Sequence, residues 1–502
     1  MPGAKAPAHN LKAPRASLDA DAPAEAPPAS RQRPWLQLAV VIVACAVDTA
    51  DKALLPAVFK AIDAQLQRGP SALASLVFAQ SVSYALALPV WGSLMQSFSI
   101  RDFMVTGCIS MSFATFLLAA AVEYETHLFL RLVVGATLAS LMPLGQAMLC
   151  NCVPDDERGF AFGLLQSVCA AATMLTSCGA TTIASETIVG VEGWRLAHVG
   201  LASLTLLAGA AVYALVEQTP PERSRGGSWL AQQREVIGKV AGKPSFYIMV
   251  GQGIFGAIPW NAFAFLPFYF QLSGYTDAQA GQILLLGGLG AVVGGLLGGR
   301  LGDAAFRRIG TSGRCLVAQM SVSSGILLFV RLVYVQPSDR SFLLVVMTFF
   351  CFQMTATWTP PAALRPICGE ICTSSQDRAQ VIALWVAVEG VASACFGAPV
   401  VGLLCEAFGY RLAERGGAMD DLLPTQREAS RDALRSALVG VSTVCWAACL
   451  VAWLPMYWTY PADRAKAKAS GKDAGSALLE PPAVACDLHA PGRTSYQATA
   501  KS

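Results

Sequence analysis

Charged side chains set inside long apolar runs are the residues of this sequence that can do chemistry. The first run carries Asp48, Asp51 and Lys52 in Ala-Val-Asp-Thr-Ala-Asp-Lys-Ala-Leu-Leu-Pro, and the fourth carries Arg131 in Arg-Leu-Val-Val-Gly. An ionised group deep in a bilayer costs several kcal/mol, so such groups face a cavity and pair with one another. A helical rise of about 1.5 Å per residue puts Asp51 about 12 Å and Asp48 about 16 Å from the far end of their helix. Arg131 starts about 5 Å below the same surface and its arm adds roughly 6 Å, which makes Asp51 its expected partner. The pair suits a proton switch or a lock between two helices. Glu389, inside the eleventh run in Trp-Val-Ala-Val-Glu-Gly, has no Arg at matching depth in its half. A lone carboxylate there suits proton carriage or cation binding, with a hydrogen bond to a neighbouring helix as the plainer reading. The seventh run reads Gly256-Ala-Ile-Pro259-Trp260-Asn261-Ala-Phe263-Ala-Phe265-Leu-Pro267. Prolines that distort a helix near mid-membrane commonly mark a transport site, so Trp260, Asn261 and Phe265 are the expected substrate-binding residues. Aromatic walls favour an amphiphile over a sugar, and simple packing is the rival reading.

The elements that hold these residues follow from composition. Of 502 residues, 54% are hydrophobic and 14% charged, more apolar surface than a soluble domain can cover, so the natural solvent is lipid. A spanning helix needs about 20 mostly apolar residues, and twelve such stretches run from Trp35–Phe59 to Leu434–Tyr460. The expected fold is an all-α membrane protein of twelve transmembrane helices in two pseudo-symmetric six-helix bundles. Residues 1–34 read as a disordered cytosolic tail without a targeting core, 35–216 as the first bundle, 217–244 as a basic central loop, 245–460 as the second bundle and 461–502 as a second disordered tail.

Charge placement gives the orientation. The polar ends and every second loop hold about 24 Lys and Arg against about eight in the alternate set, which by the positive-inside bias puts both termini in the cytosol. A net charge of +3 gives no reason to expect nucleic acid. The 15 cysteines lie scattered through the runs as small apolar residues. His127 and His198 are isolated, so no metal site is expected. No phosphate-cradling loop and no set of nucleophile, base and orienter appears, so the chain is read as a protein without cofactor or enzymatic activity. Glycines at 290, 294 and 298, and again at 295 and 299, offer small faces for helix packing.

The halves share signals at a nearly constant offset. Gly92-Ser-Leu matches Gly299-Arg-Leu at 207 residues, Arg158 matches Arg378 at 220, and Gly193-Trp-Arg matches Gly409-Tyr-Arg at 216. A duplicated six-helix unit explains all three, and parallel halves are the arrangement of major facilitator transporters.

Four segments carry a closer likeness: Ala50-Asp51-Lys-Ala-Leu-Leu-Pro56, Asp155-Asp-Glu-Arg158-Gly159, Ile258-Pro-Trp260-Asn-Ala-Phe, and Glu389-Gly390 followed by Gly397-Ala-Pro399-Val-Val-Gly402. They resemble the Spinster-like branch of the major facilitator superfamily, especially its plant and algal members, over residues 35–460. The resemblance implies alternating access without a covalent intermediate, in a bilayer-embedded monomer that is proton-linked or facilitative. It implies lysophospholipids or sphingoid lipids as substrates, with sugars or organic anions as the alternative and a non-transporting sensor as a further one. On the family pattern Asp51 and Arg131 form the coupling pair, with Asp48 and Glu389 as the other ion-coupling candidates. Lys52 stands where relatives often carry an acid or Arg, and it could neutralise Asp51. The stretch from Gly299 through Asp303 to Arg307 and Arg308 is similar to the family's cytosolic gating signature, in which an Asp and basic residues latch neighbouring helix ends. The first half has Gln96 at the Asp position and lacks the basic pair.

Overall fold

The computed structural model describes residues 34–94, 99–152, 158–218, 242–335, 341–371, 375–410 and 422–477, with Arg234 and Gly238 besides. The N-terminal tail, most of the central loop, Gln96 and the side chains of Arg158 and Arg378 lie outside them.

Apolar runs of this length can satisfy backbone polar groups in lipid only by closing them into helices. Among the described residues, eleven helical stretches are long and apolar enough to cross a membrane. The twelfth, and first in the chain, is Pro34–Ala57, which has the length but carries Asp48, Asp51 and Lys52. It is followed by the second to sixth spans, Pro70–Leu94, Ile100–Ala120, Tyr124–Leu138 continued by Leu141–Cys152, Arg158–Ile183 and Gly193–Leu215. The seventh to ninth are Pro244–Ala262 continued by Leu266–Leu272, Asp277–Ile309 and Thr311–Val333. The last three are Phe342–Ala356 continued by Arg365–Ile371, Ser375–Phe396 continued by Ala398–Ala407, and Pro424–Ala452. Large apolar side chains such as Leu86, Phe113, Leu207, Leu296 and Leu327 stay exposed on the outside of the bundle, as lipid contact requires.

In the first half the third span packs on the sixth and the first on the fifth; in the second half the eighth packs on the tenth and the seventh on the twelfth. The halves meet where the fifth span lies on the eighth and the second on the eleventh. Gly290 and Gly294 allow the close eighth-to-tenth approach, because a Cβ at either would overlap the carbonyl of Phe350 or of Met354. The second small face expected at Gly295 and Gly299 meets no such backbone.

Among the described residues, breaks fall in span one, at Val58 before a further helix over Phe59–Leu66, and in spans four, seven, ten and eleven. In the seventh, the ring of Pro267 removes a backbone donor, and a 3-10 turn over Phe263–Phe265 replaces the α-helix just before it. The tenth passes through a π-helical turn at Pro360–Leu364. In the eleventh, Asn261 of the seventh span accepts a 2.9 Å hydrogen bond from the Ala398 amide and so caps the half-helix Ala398–Ala407.

After the twelfth span the chain re-enters a helix, Met456–Ala477, where a disordered tail was expected from residue 461. That helix is tied down: the carboxylate of Asp463 accepts from the Ser245 amide at 2.9 Å and caps the start of the seventh span.

Candidate functional site

A cavity of about 520 Å³ lies between the halves at mid-depth. From the first half it is lined by Lys52, Gln80 and Tyr84, and from the second by Trp260, Phe263 and Phe349 among others. The first half brings the charge of Lys52 with Gln80 and Tyr84 among apolar side chains such as Leu55 and Val77, and the second brings three aromatic rings together with Asn261 and Gln353.

Behind the first-half wall stands a buried network. Asp51 is fully buried and accepts from Thr115 at 3.3 Å and from the Gln80 amide nitrogen at 3.5 Å. The Gln80 amide oxygen accepts from Arg131 at 3.2 Å. Arg131 also lies 2.9 Å from His198 Nε2. His198 Nδ1 faces the Trp194 carbonyl at 2.8 Å, so Nδ1 carries the proton and Nε2 accepts from the guanidinium. The expected direct pair of Asp51 and Arg131 is thus replaced by a relay. An amide has a donor and an acceptor, and Gln80 turns one to each charge, while the guanidinium reaches on to His198.

Lys52 does not neutralise Asp51. Its ammonium donates to Asp48 at 2.8 Å, one helical turn back, and lies 4.1 Å above the centre of the Tyr84 ring. Asp48 is wholly buried, and its Oδ1 has no hydrogen-bond partner among the described residues. Asp48 therefore belongs to a lysine pair rather than to Arg131.

The seventh-span candidates separate. Trp260 and Asn261 line the cavity, although Asn261 has its oxygen engaged as the cap of Ala398. Phe265 does not reach it: the ring is fully buried, 5.2 Å from that of Phe59 in the first half. The 3-10 turn rotates Phe265 away from the direction an unbroken helix would have given it.

Beyond Trp260 is a second chamber of about 310 Å³, within the second half, lined by Gln252, Gly253, Trp446 and Glu389 among others. Glu389 accepts from the indole of Trp385. A Cβ at Gly253 would overlap the Glu389 carboxylate, so the absent side chain makes its room.

At the end of the bundle away from the termini the halves are fastened together. Lys60 reaches Asp277 at 3.1 Å, Tyr410 donates to Asp63 at 3.4 Å, and the Ser71 amide donates to Glu406 at 2.9 Å. At the opposite end the gating signature differs from expectation in its cation. Asp303 meets Arg314 at 3.3 Å, and Arg314 also reaches Glu370 at 3.3 Å. Glu370 is joined by Tyr460 at 2.6 Å and Arg464 at 2.5 Å, while Arg307 and Arg308 point to the exterior. Gly299 sits near Pro361 without a close backbone contact.

The roles of Gln80, Asp63, Tyr410 and Arg314 escaped the sequence reading, and His198, read there as isolated, lies 2.9 Å from Arg131. The traceable signal was a polar side chain inside an apolar run, as in Val-Phe-Ala-Gln80-Ser and Ala-His198-Val.

A family model described as Major Facilitator Superfamily matches residues 40–368. The chain is similar in structure to a bacterial homologue of the human lysosomal transporter Spinster, solved inward-facing and unoccupied, with a TM-score of 0.69 at 16% identity over 86% of this chain and 98% of that one. It is also similar to the nucleoside transporter NupG, with a TM-score of 0.63 at 13% identity over 83% and 98% of the two chains. A D-xylose-proton symporter gives 0.59 at 16% identity over 82% and 97%. Among curated proteins, none matches the sequence.

Proposed function

The chain belongs to the major facilitator superfamily, and from that premise we propose that it moves an amphiphilic solute of the lysophospholipid or sphingoid class across a membrane by alternating access. The observation that carries the reading is the mostly apolar cavity between the halves, with the charge of Lys52 on one side beside Gln80 and Tyr84 and the rings of Trp260, Phe263 and Phe349 on the other. A polar head and an apolar chain fill such a space better than a uniformly polar sugar. Bilayer-facing apolar surface, a monomeric state and two six-helix units at 35–216 and 245–460 complete the proposal.

Both termini are cytosolic on this reading, so the fastened end faces out and the cavity is shut on that side. Ions at Lys60, Asp63 and Glu406 would have to part for the cavity to open there. Proton coupling runs through Asp51. Its protonation removes the charge that orients Gln80, frees the amide, and leaves Arg131 held by His198 alone, which loosens the first span from the fourth. Glu389 is a second proton or cation site in its own chamber.

Flux of labelled lysolipid into proteoliposomes, with and without a pH gradient, tests the whole. Gradient-stimulated flux is expected. Flux of sugars or organic anions instead would replace the substrate class, and ligand-dependent conformational change without any flux would favour a sensor.

A further inference from the structure

The central cavity touches charge at one place. Among the described residues that line it Lys52 alone is ionic, and none of them is a carboxylate. The lysine is not sealed away, because its side chain keeps 37% of its exposure while its partner Asp48 keeps none. The pair is therefore polarised, with the ammonium at the cavity surface and the carboxylate behind it. Coulomb attraction falls with distance, so an anion arriving at the ammonium feels the near positive charge more than the negative one at its back. An ammonium has three donors; Asp48 takes one at 2.8 Å, and the face of Tyr84 lies beside another.

From this geometry we infer that Lys52 is the head-group site of the central cavity and selects a ligand with one anionic group of phosphate, sulfate or carboxylate type. The inference rests on the transport reading above and narrows it. Asp48 is then the internal competitor: it holds Lys52 while the cavity is empty and shares it when an anion is bound. Ligand orientation follows from the opposite wall. The apolar part extends from Lys52 toward Trp260, Phe263 and Phe349, and the anionic end is kept out of the chamber behind Trp260, where Glu389 would repel it.

Equilibrium binding to the purified full chain in a neutral detergent tests this, with dodecyl phosphate, its uncharged counterpart dodecylglycerol, and inorganic phosphate as probes. Wild type should prefer dodecyl phosphate to dodecylglycerol by about tenfold or more, as one charge-assisted hydrogen bond allows. Lys52→Gln should lose that preference and keep dodecylglycerol binding, while Lys52→Arg should retain it. Asp48→Asn should move the other way and bind dodecyl phosphate more tightly than wild type, a gain that a misfolded variant cannot produce. Equal preference in wild type and Lys52→Gln overturns the inference and leaves the amphiphile reading standing. Lys52-dependent binding of inorganic phosphate with no gain from the alkyl chain keeps the anion site and overturns the amphiphile reading.

Discussion

Tyr410 of the second half donates a hydrogen bond to Asp63 of the first at 3.4 Å, outside the spans and at the closed end of the bundle. Burial pushes the Asp63 carboxyl up from 3.8 to about 6, against the lowering effect of hydrogen bonds from Gly69 and Tyr410, and Glu406 nearby adds to the rise.

The sign follows from linkage. A carboxyl whose value is raised on closure binds its proton more tightly in the closed state, so protonation favours closure. The contribution is fully present below the ordinary value near 3.8 and is lost as pH rises through about 6. Spin labels at exposed Arg68 and Phe408 should report a short distance across this end at acid pH that lengthens with a midpoint near 6, and Asp63→Asn should flatten the profile. A distance independent of pH in wild type would remove Asp63 from the gate.

Gln80→Leu should uncouple as strongly as Asp51→Asn. Gln80→Leu takes one partner from each buried charge, leaving Asp51 on Thr115 and Arg131 on His198, and Asp51→Asn removes one of the two charges. A lost hydrogen bond to a buried charge is worth about 1–3 kcal/mol, so gradient-driven uptake should fall about tenfold or more while exchange of bound substrate persists. Wild-type uptake by Asp51→Asn would make the relay structural and move the proton site to Asp48 or Glu389.

Gly253→Ala forces a methyl into the place of the Glu389 carboxylate. Overpacking of this kind costs roughly 1–3 kcal/mol, and a lowered melting temperature in detergent is the expected result. Unchanged stability would show that Glu389 has another resting position.

Arg314→Gln should destabilise the chain by roughly 1–3 kcal/mol, since it strips partners from Asp303 and Glu370 at once. Arg307→Gln, on an exposed side chain, should stay within about 0.5 kcal/mol. Equal losses in thermal unfolding would restore the basic pair as the latch.

Cysteine at Trp260 should be labelled by a small thiol reagent and protected by substrate, whereas cysteine at Phe265 should resist labelling with or without it. Reversal of that pattern would mean that the 3-10 turn does not direct these side chains as described.

The twelve spans were readable because apolar runs of spanning length have few other fates, and the matched offsets of Gly193 and Gly409 announced two related halves. The first span was legible even with three charges in it. Partner identity was not. Whether Arg131 meets Asp51 or Gln80 depends on the rotation of the second span about its own axis, and hydropathy is blind to rotation when a run is apolar on all sides. Phe265 was misplaced for a related reason: a helix interrupted by a 3-10 turn changes the direction of every later side chain by tens of degrees. Lys52 was visible as a departure from the family pattern, but one turn of helix joins it to Asp48, and only the i, i+4 geometry shows which acid it serves. Tyr410 and Asp63 lie 347 positions apart, and no local signal links them.

The cap that Asp463 places on Ser245 has a consequence for how the protein is made. The two residues are 218 positions apart, and ribosomes add about 5–20 residues per second, so the start of the seventh helix waits about 10–40 s for the residue that completes it. During that interval the nascent second half has an uncapped helix end, and Glu370, once made, has Arg314 but still lacks Tyr460 and Arg464. Its final assembly is therefore an event that follows synthesis of the last span, and a premature stop before Asp463 would release a chain with every span present and the seventh still unfinished.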